Sequence, residues 1–162
     1  EILTCDWSSD VCSSDLANAQ WRFTPPTHVI AAFHQALEEH AQEGGVAGRG
    51  ARYRRNCEIL LKGMREMGFV SLLPDALQAP IIVTFHMPAD PKFDFKQFYD
   101  KLNQRGFVIY PGKLTVADSF RIGCIGRLGE REMRAALDAI RKTIKEMGII
   151  HCGPKQLAAA TR

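Results

Sequence analysis

Long apolar segments are missing from this 162-residue sequence. No apolar run approaches the roughly 20 residues that a membrane-spanning helix needs, so we expect no membrane partner. The hydrophobic share of 46% and the charged share of 24% are those of a soluble globular protein. The length suits one ordinary domain, or one domain with a leader and a tail.

A strong excess of one charge is also lacking. The net charge is only +3, and acidic and basic residues are interspersed, which is a poor indication of nucleic-acid binding. The segment "RGARYRR", residues 49–55, is basic but lacks the interleaved aromatic residues suited to base stacking. We interpret it as a solvated helix face and expect no nucleic-acid partner.

The five cysteines are irregularly spaced, and two of them, Cys5 and Cys12, lie close to the start of the chain. Cys57, Cys124 and Cys152 are isolated from one another in the sequence, without the spacing of a metal site or a disulfide framework. Buried, inert thiols in a reducing compartment account for them, which suits a cytoplasmic protein.

Motifs for metal and phosphate binding are missing too. His28, His34 and His40 are spaced so that they do not share one helical face, and no metal site is predicted. The glycine-rich "GGVAGRG", residues 44–50, lacks the preceding strand and the Lys-Ser/Thr pair of a phosphate-binding loop. We interpret it as a junction between two helices.

Residues 1–16 lack any periodicity. Their segment "CDWSSDVCSSDL" is acidic and rich in serine, unlike a secretory signal, and Cys5 and Cys12 have no nearby partners for a zinc site. Every residue from Asp6 to Leu16 resembles one reading frame of a common short-read sequencing adapter. We therefore interpret residues 1–16 as a sequencing artefact, expect them to be disordered, and exclude them from fold reasoning.

Helical periodicity begins after the leader. Residues 17–45 predict an interdomain segment and a helix, with Thr24 as a possible N-cap and Pro25 or Pro26 in the first turn. A longer helix follows and ends at Gly68. Its apolar positions recur at helical spacing: Val46, Tyr53, Cys57, Leu60, Met64 and Met67.

Strands and helices alternate in the second half of the sequence. The pattern predicts strands over 79–87, 107–112 and 119–126, and helices over 90–106 and 129–147. The link between the last two strands is too short for a crossover helix, so they should pair antiparallel. The predicted fold class is α/β, a two-layer α+β domain over 46–148 with a small, mostly antiparallel sheet and helices on one face. Residues 149–162 are predicted to be a tail or a linker.

Arg121 and Thr24 are the candidate binding residues. Arg121 interrupts an apolar strand flanked by glycines, which let a ligand or another backbone approach. Its guanidinium suits carboxylate or phosphonate recognition, but an internal salt bridge to Asp118 or another acid fits equally well. Thr24 either caps the first helix or contributes, with the free amides of a helix start, to a site for a phosphate-bearing ligand.

Several ordered segments carry a resemblance to a known family. They are "WRFTPPTHV", "GGVAGRGARYRRNCEIL", "DALQAPIIVTFH" and especially "GFVIYPGKLTVADSFRIGCIG". From Trp21 to Met147 the chain resembles the C-terminal part of the 2-aminoethylphosphonate–pyruvate aminotransferases, which are class V aminotransferases of pyridoxal-phosphate fold type I. Two alternatives remain: an alanine–glyoxylate or serine–pyruvate type of class V aminotransferase, and a non-catalytic small α/β binding module.

The resemblance implies a specific activity for the parent protein. It would be a cytoplasmic homodimer that uses pyridoxal 5'-phosphate to move the amino group of 2-aminoethylphosphonate to pyruvate. The products, phosphonoacetaldehyde and L-alanine, belong to phosphonate catabolism. Thr24 would reach the cofactor phosphate of the partner subunit. Arg121 would bind the phosphonate of one substrate and the carboxylate of the other.

The resemblance implies no catalytic residue in this chain. The chemistry needs a lysine that forms a Schiff base with the cofactor and an acid that pairs with its ring nitrogen. In the family both lie upstream, in the large N-terminal domain. Lys113 matches a small-domain segment and does not correspond to the Schiff-base lysine, so the chain alone is expected to be inactive.

Overall fold

The computed structural model describes residues 24–112 and 117–154. The predictions for residues 1–16 and 17–23, for Lys113 and for residues 155–162 lie outside these ranges. The chain divides into two compact units, which meet between Gly45 and Val46.

The first unit contains helix α1, Thr27–Gln42. Thr24 and Pro25 each precede a proline, which disfavours the helical conformation, so the helix begins only after Pro26. Pro26 is the N-cap, and no side chain makes a capping hydrogen bond. The prediction that Thr24 caps this helix is therefore wrong, because Thr24 lies in an exposed bend before it.

Helix α1 buries none of its residues. Its apolar positions remain largely exposed: 66% of Val29, 62% of Phe33 and 49% of Leu37 are accessible. An apolar stripe at helical spacing is therefore present, as the sequence indicates, but it stays uncovered.

Helix α2, Gly45–Glu66, begins the second unit's core. The junction between α1 and α2 is shorter than predicted, since only Glu43 and Gly44 form the turn and the rest of "GGVAGRG" is helical. Val46, placed in the apolar stripe by its spacing, is 82% exposed. The buried residues of α2 are Asn56, Cys57, Leu60, Gly63 and Met64.

Two further helices follow local signals in the sequence. Helix α3, Phe95–Gln104, starts where the Asp94 side chain accepts a hydrogen bond from the Gln97 amide at 2.7 Å. Helix α4, Glu130–Met147, ends at Gly148, whose φ of 67° is left-handed. Within the described ranges, no helix combines the length and apolar character needed to cross a bilayer.

Three antiparallel strands form the sheet, in the order β1-β3-β2. They are β1, Ile82–His86, β2, Tyr110–Pro111, and β3, Ser119–Gly123. The predicted small antiparallel sheet is confirmed. The strand predicted over 107–112 is much shorter than expected, because β2 has only two residues, both exposed. Proline at 111 offers no amide hydrogen to the ladder, which limits this strand.

In the second unit the core lies between one face of the sheet and helices α2, α3 and α4, which confirms the two-layer α/β fold. Val83 and Phe85 of β1 and Phe120 and Ile122 of β3 are all buried on this face. Phe120 is central, with ring centroids 5.7 Å from Phe69, 5.8 Å from Phe85 and 5.6 Å from Phe98. Leu60 and Met64 of α2, Leu102 of α3, and Leu137 and Ile140 of α4 complete this cluster.

The segment after α4 is packed rather than free. Ile149 and Cys152 are buried, and the Ala89 amide donates to the Gly153 carbonyl at 2.8 Å. The Ile150 amide donates to Asp90 Oδ2 at 2.9 Å, and this hydrogen bond to the carboxylate lowers the pKa of Asp90. The packed domain therefore continues into the range predicted as a tail.

Gly63 of α2 packs directly against the Leu137 side chain of α4. A Cβ atom at this position would lie 2.4 Å from Leu137 Cδ1, well inside van der Waals contact. Gly63→Ala should therefore force the two helices apart and lower the free energy of unfolding by about 1–3 kcal/mol. Urea denaturation followed by circular dichroism measures the change.

Gly50→Ala is the matched control within the same helix. A Cβ at Gly50 meets nothing closer than Arg54 Nη1, at 3.4 Å on a flexible side chain. Because glycine inside a helix costs about 0.5–1 kcal/mol relative to alanine, this variant should be neutral or more stable. Equal stabilities of the two alanine variants would contradict the close helix contact.

Candidate functional site

Arg121 lies in the middle of β3 and points away from the core. Its neighbours Phe120 and Ile122 are buried on the helix side, and alternate residues of a strand face opposite sides of a sheet. The guanidinium is half-buried, and its Nη2 donates to the Pro111 carbonyl at 3.3 Å. Its Nε is buried, and no residue in the described part of the chain accepts a hydrogen bond from it. A buried cationic donor in this state is suited to an anionic ligand.

Asp118 does not pair with Arg121. The Asp118 side chain is exposed, and its odd separation from Arg121 directs the two side chains to opposite faces of the strand. No carboxylate in the described ranges forms an ion pair with Arg121. The internal salt bridge, which residue chemistry alone left open, is therefore absent among these residues.

Two hydroxyl-bearing residues flank Arg121 across the sheet. Thr84 of β1 and Tyr110 of β2 both pair with it in register, and paired residues share one face. The Met87 amide donates to the Asp118 carbonyl, and the Cys124 amide donates to the Ile81 carbonyl. In an antiparallel pair every second pair of opposite residues is hydrogen-bonded, and the Thr84–Arg121 pair lies an odd number of positions from both of these. Thr84 and Arg121 are therefore a non-hydrogen-bonded pair, in which side chains come closest.

The glycines near Arg121 serve two different purposes. A Cβ at Gly123 would meet nothing within 4 Å, so the sheet face beside Arg121 is open to a ligand. A Cβ at Gly112 would lie 2.1 Å from Ser119 Oγ, so glycine there allows β2 to approach β3. The Gly112 amide then donates to the Ser119 carbonyl at 2.7 Å.

Helix α2 holds the loop that follows β3. Asn56 Nδ2 donates to the carbonyls of Cys124 at 3.1 Å and Leu128 at 2.9 Å. Arg52 Nη1 donates to the carbonyls of Gly126 at 2.5 Å and Leu128 at 2.8 Å. The basic segment thus includes a structural arginine, and the importance of Asn56 went unpredicted. Its only signal is a polar residue beside Cys57 on the buried face of the helix.

Thr24 belongs to the first unit and Arg121 to the second. Thr24 is exposed and precedes the first turn of α1. The Thr27 amide already donates to the Pro25 carbonyl at 2.8 Å, which leaves the His28 and Val29 amides as the first-turn donors available to an anion. The residues around Thr24 therefore retain the features of an anion site, although the hydroxyl does not cap the helix.

The three thiols in the described ranges offer no nucleophile. Cys57, Cys124 and Cys152 are free and buried, as predicted. Burial raises the pKa of Cys124 to about 12 and that of Cys152 to about 11, and burial also raises the pKa of Cys57. Because the thiolate is the reactive form, these residues are inert near neutral pH.

Three surface pockets, of about 360, 600 and 960 Å³, are lined by described residues of the second unit. The largest runs along α2 beside Asp75, and the next lies between α2 and α4. The smallest is lined mainly by apolar residues of the sheet and α4. Arg121 is not among the residues that line these three pockets.

Sequence comparison finds relatives of the chain among the transaminases. It is 59% identical over 130 residues to the 2-aminoethylphosphonate–pyruvate transaminase of Cupriavidus taiwanensis, covering 80% of this chain and 34% of that protein. The Rhizobium meliloti enzyme of the same name is 54% identical over 143 residues, covering 88% and 37%. No family model matches the chain.

Solved structures support the same fold. Ureidoglycine–glyoxylate aminotransferase from Bacillus subtilis matches with a TM-score of 0.68 and 19% identity, covering 88% of this chain and 35% of that one. Alanine–glyoxylate aminotransferase from Nostoc sp. matches with a TM-score of 0.69 and 23% identity, covering 77% and 33%. The chain spans about a third of the length of the curated relatives it matches. It is therefore homologous to about one third of a 2-aminoethylphosphonate–pyruvate transaminase, in the fold of the type I aminotransferases.

Proposed function

We propose that this chain is the C-terminal small domain of a pyridoxal-phosphate-dependent aminotransferase. The parent enzyme transfers the amino group of 2-aminoethylphosphonate to pyruvate. The observation that carries the proposal is Arg121, whose buried Nε has no hydrogen-bond partner among the described residues. The 59% identity to a transaminase of this name supports the choice of substrate.

Arg121 acts as the receptor for the anionic end of each substrate. A guanidinium presents parallel N–H donors that match carboxylate and phosphonate oxygens. One cation can therefore hold 2-aminoethylphosphonate in one half-reaction and pyruvate in the other. Because the two substrates bind in turn, a single anion site suits an enzyme that alternates between an amino donor and a keto-acid acceptor.

The described residues fit the phosphate end of the cofactor only. Thr24 and the start of α1 offer a hydroxyl and helix amides, which suit a phosphate group. Pyridoxal phosphate, when bound, supplies the electron sink for the amino transfer. In a homodimer, Thr24 would serve the cofactor held by the partner subunit. No described residue is assigned the covalent link to the cofactor.

An alanine–glyoxylate aminotransferase is the alternative within the class. The solved structure of such an enzyme is 23% identical to the chain, a level that supports the fold alone. A self-standing binding module is the alternative outside it, and no described contact favours this reading over a domain of a larger enzyme. The free, buried thiols suit a reducing compartment, and we place the parent enzyme in the cytoplasm.

The chain alone should not transaminate. Without the residues that hold the cofactor covalently, the purified 162-residue protein supplied with pyridoxal phosphate, 2-aminoethylphosphonate and pyruvate should form no alanine. Chromatographic detection of alanine over several hours measures this. Turnover above that of free cofactor would show that the chain carries its own catalytic lysine and would contradict the assignment.

A chimaera tests Arg121 in a complete enzyme. Residues 24–154 would replace the homologous segment of the Cupriavidus taiwanensis transaminase. The chimaera should convert 2-aminoethylphosphonate and pyruvate, and Arg121→Gln should lower kcat/KM about 10²- to 10³-fold, since paired hydrogen bonds to an anion are lost. Arg121→Lys should be intermediate, because it keeps the charge but not the fork.

Arg131→Gln is the charge-matched control, because the Arg131 side chain is 94% exposed and lies on α4. Its kcat/KM should stay close to that of the unmodified chimaera. If Arg131→Gln and Arg121→Gln had equal effects, Arg121 would be no substrate receptor. Activity restricted to alanine with glyoxylate would overturn the substrate assignment.

Thr24 is tested by cofactor retention in the same chimaera. Thr24→Val removes one hydrogen bond to a charged phosphate and should raise the dissociation constant of pyridoxal phosphate about tenfold. Fluorescence titration of the dialysed protein measures it. Thr24→Ser keeps the hydroxyl and should bind the cofactor as the unmodified chimaera does; equal weakening by both variants would rule out a hydroxyl contact.

A further inference from the structure

The row Thr84–Arg121–Tyr110 runs across all three strands on the open side of the sheet. Arg121 is central, and its partners in register place a hydroxyl-bearing side chain on each side of it. Tyr110 is 55% exposed while the preceding Ile109 is buried, so the phenol lies on the open face with Arg121. Direct cross-strand partners have Cβ atoms about 4.5–5.5 Å apart.

The guanidinium of Arg121 lies towards β2, which carries Tyr110, and away from β1, which carries Thr84. Its Nη2 donates to the carbonyl of Pro111, the residue next to Tyr110, at 3.3 Å. The anion-binding end of Arg121 therefore lies over β2, where the long tyrosine side chain can reach an anion held there. Thr84 has a short side chain and lies in β1, on the opposite side of Arg121 from β2.

A carboxylate and a phosphonate make different demands on such a site. A carboxylate has two oxygens in one plane, and the guanidinium fork can satisfy both. A phosphonate has three oxygens arranged tetrahedrally, so when two of them face the fork the third projects out of its plane. That oxygen needs a further donor, and a tyrosine hydroxyl can supply one.

The surrounding charges permit a doubly negative group. The other residues of this face in β1 and β3 include His86, Ser119 and Gly123, and none of these carries a negative charge. Gly123 also leaves open space beside Arg121. A phosphonate can therefore approach without a repelling carboxylate from the described strands.

We propose that Tyr110 is a specificity-determining residue, whose hydroxyl donates to the third oxygen of a phosphonate held by Arg121. Tyr110 thereby favours a phosphonate over a carboxylate in the same site. This inference rests on the proposed role of Arg121 as the substrate anion receptor. It adds a reason why the same site binds a phosphonate more tightly than a carboxylate.

The test measures anion binding by the 162-residue chain itself. The protein is titrated with methylphosphonate and, separately, with acetate, at constant ionic strength, while NMR follows the amide signals of β2 and β3. Tyr110→Phe should weaken methylphosphonate binding about three- to tenfold, the loss expected for one hydrogen bond. Acetate binding should stay unchanged within about twofold.

Tyr99→Phe is the matched control, because it removes a phenolic hydroxyl from α3, on the core side of the sheet. It should bind both anions as the unmodified chain does. If Tyr110→Phe leaves methylphosphonate binding unchanged, or weakens both anions equally, the inference about Tyr110 is wrong.

Arg121→Gln separates this inference from the proposed function. Loss of both anions in Arg121→Gln, with Tyr110→Phe binding both normally, would overturn the role of Tyr110 alone. Unchanged binding in Arg121→Gln, or no binding of either anion by the unmodified chain, would overturn the anion site itself and the inference with it.

Discussion

The burial of Phe120 is the constraint on which the candidate site depends. Phe120 is fully buried, and its ring contacts aromatic rings from β1, from α3 and from the segment after α2. A strand that buries one residue in this way must turn the next residue to the other face. A slip of one residue would exchange the faces, placing the charge of Arg121 in the core and Phe120 in water. The apolar core thus fixes the orientation of Arg121, the candidate binding residue.

Contacts remote from Arg121 hold β3 in its place in the sheet. Asn56 and Arg52 hold the loop after β3 through backbone carbonyls, and Gly112 lets β2 pack closely against Ser119. Gly63 brings α2 against α4, which closes the helix layer behind the sheet. These residues act on binding only through the register and position of the strand that carries Arg121.

Periodicity predicted the helices and the sheet well because both depend on local spacing. Phe98 and Leu102 fall on one face of α3, and both are buried. Helix ends were predictable where glycine takes a left-handed conformation, as at Gly148. Helix α1 and strand β2 were less predictable. Consecutive prolines move the start of α1 past Thr24, and a proline in β2 shortens the strand to two residues.

The candidate residue Arg121 stood out in the sequence, but its surroundings could not be predicted. Arg121 stood out because it is a charged residue within an apolar strand. The choice between a ligand-binding role and a salt bridge to Asp118 required knowing which face of the strand each side chain occupies. Tyr110 gave no signal alone, because its significance comes from pairing with Arg121 across strands. Asn56 was missed because a single polar residue in an apolar stripe does not reveal which carbonyls it will meet.

The most direct measurement of the central claim is a crystal structure of the chimaeric enzyme with a bound phosphonate. The account predicts that the Arg121 guanidinium donates to two phosphonate oxygens at about 2.7–2.9 Å. A structure in which Arg121 pairs with a carboxylate of the protein, and the phosphonate binds elsewhere, would contradict it.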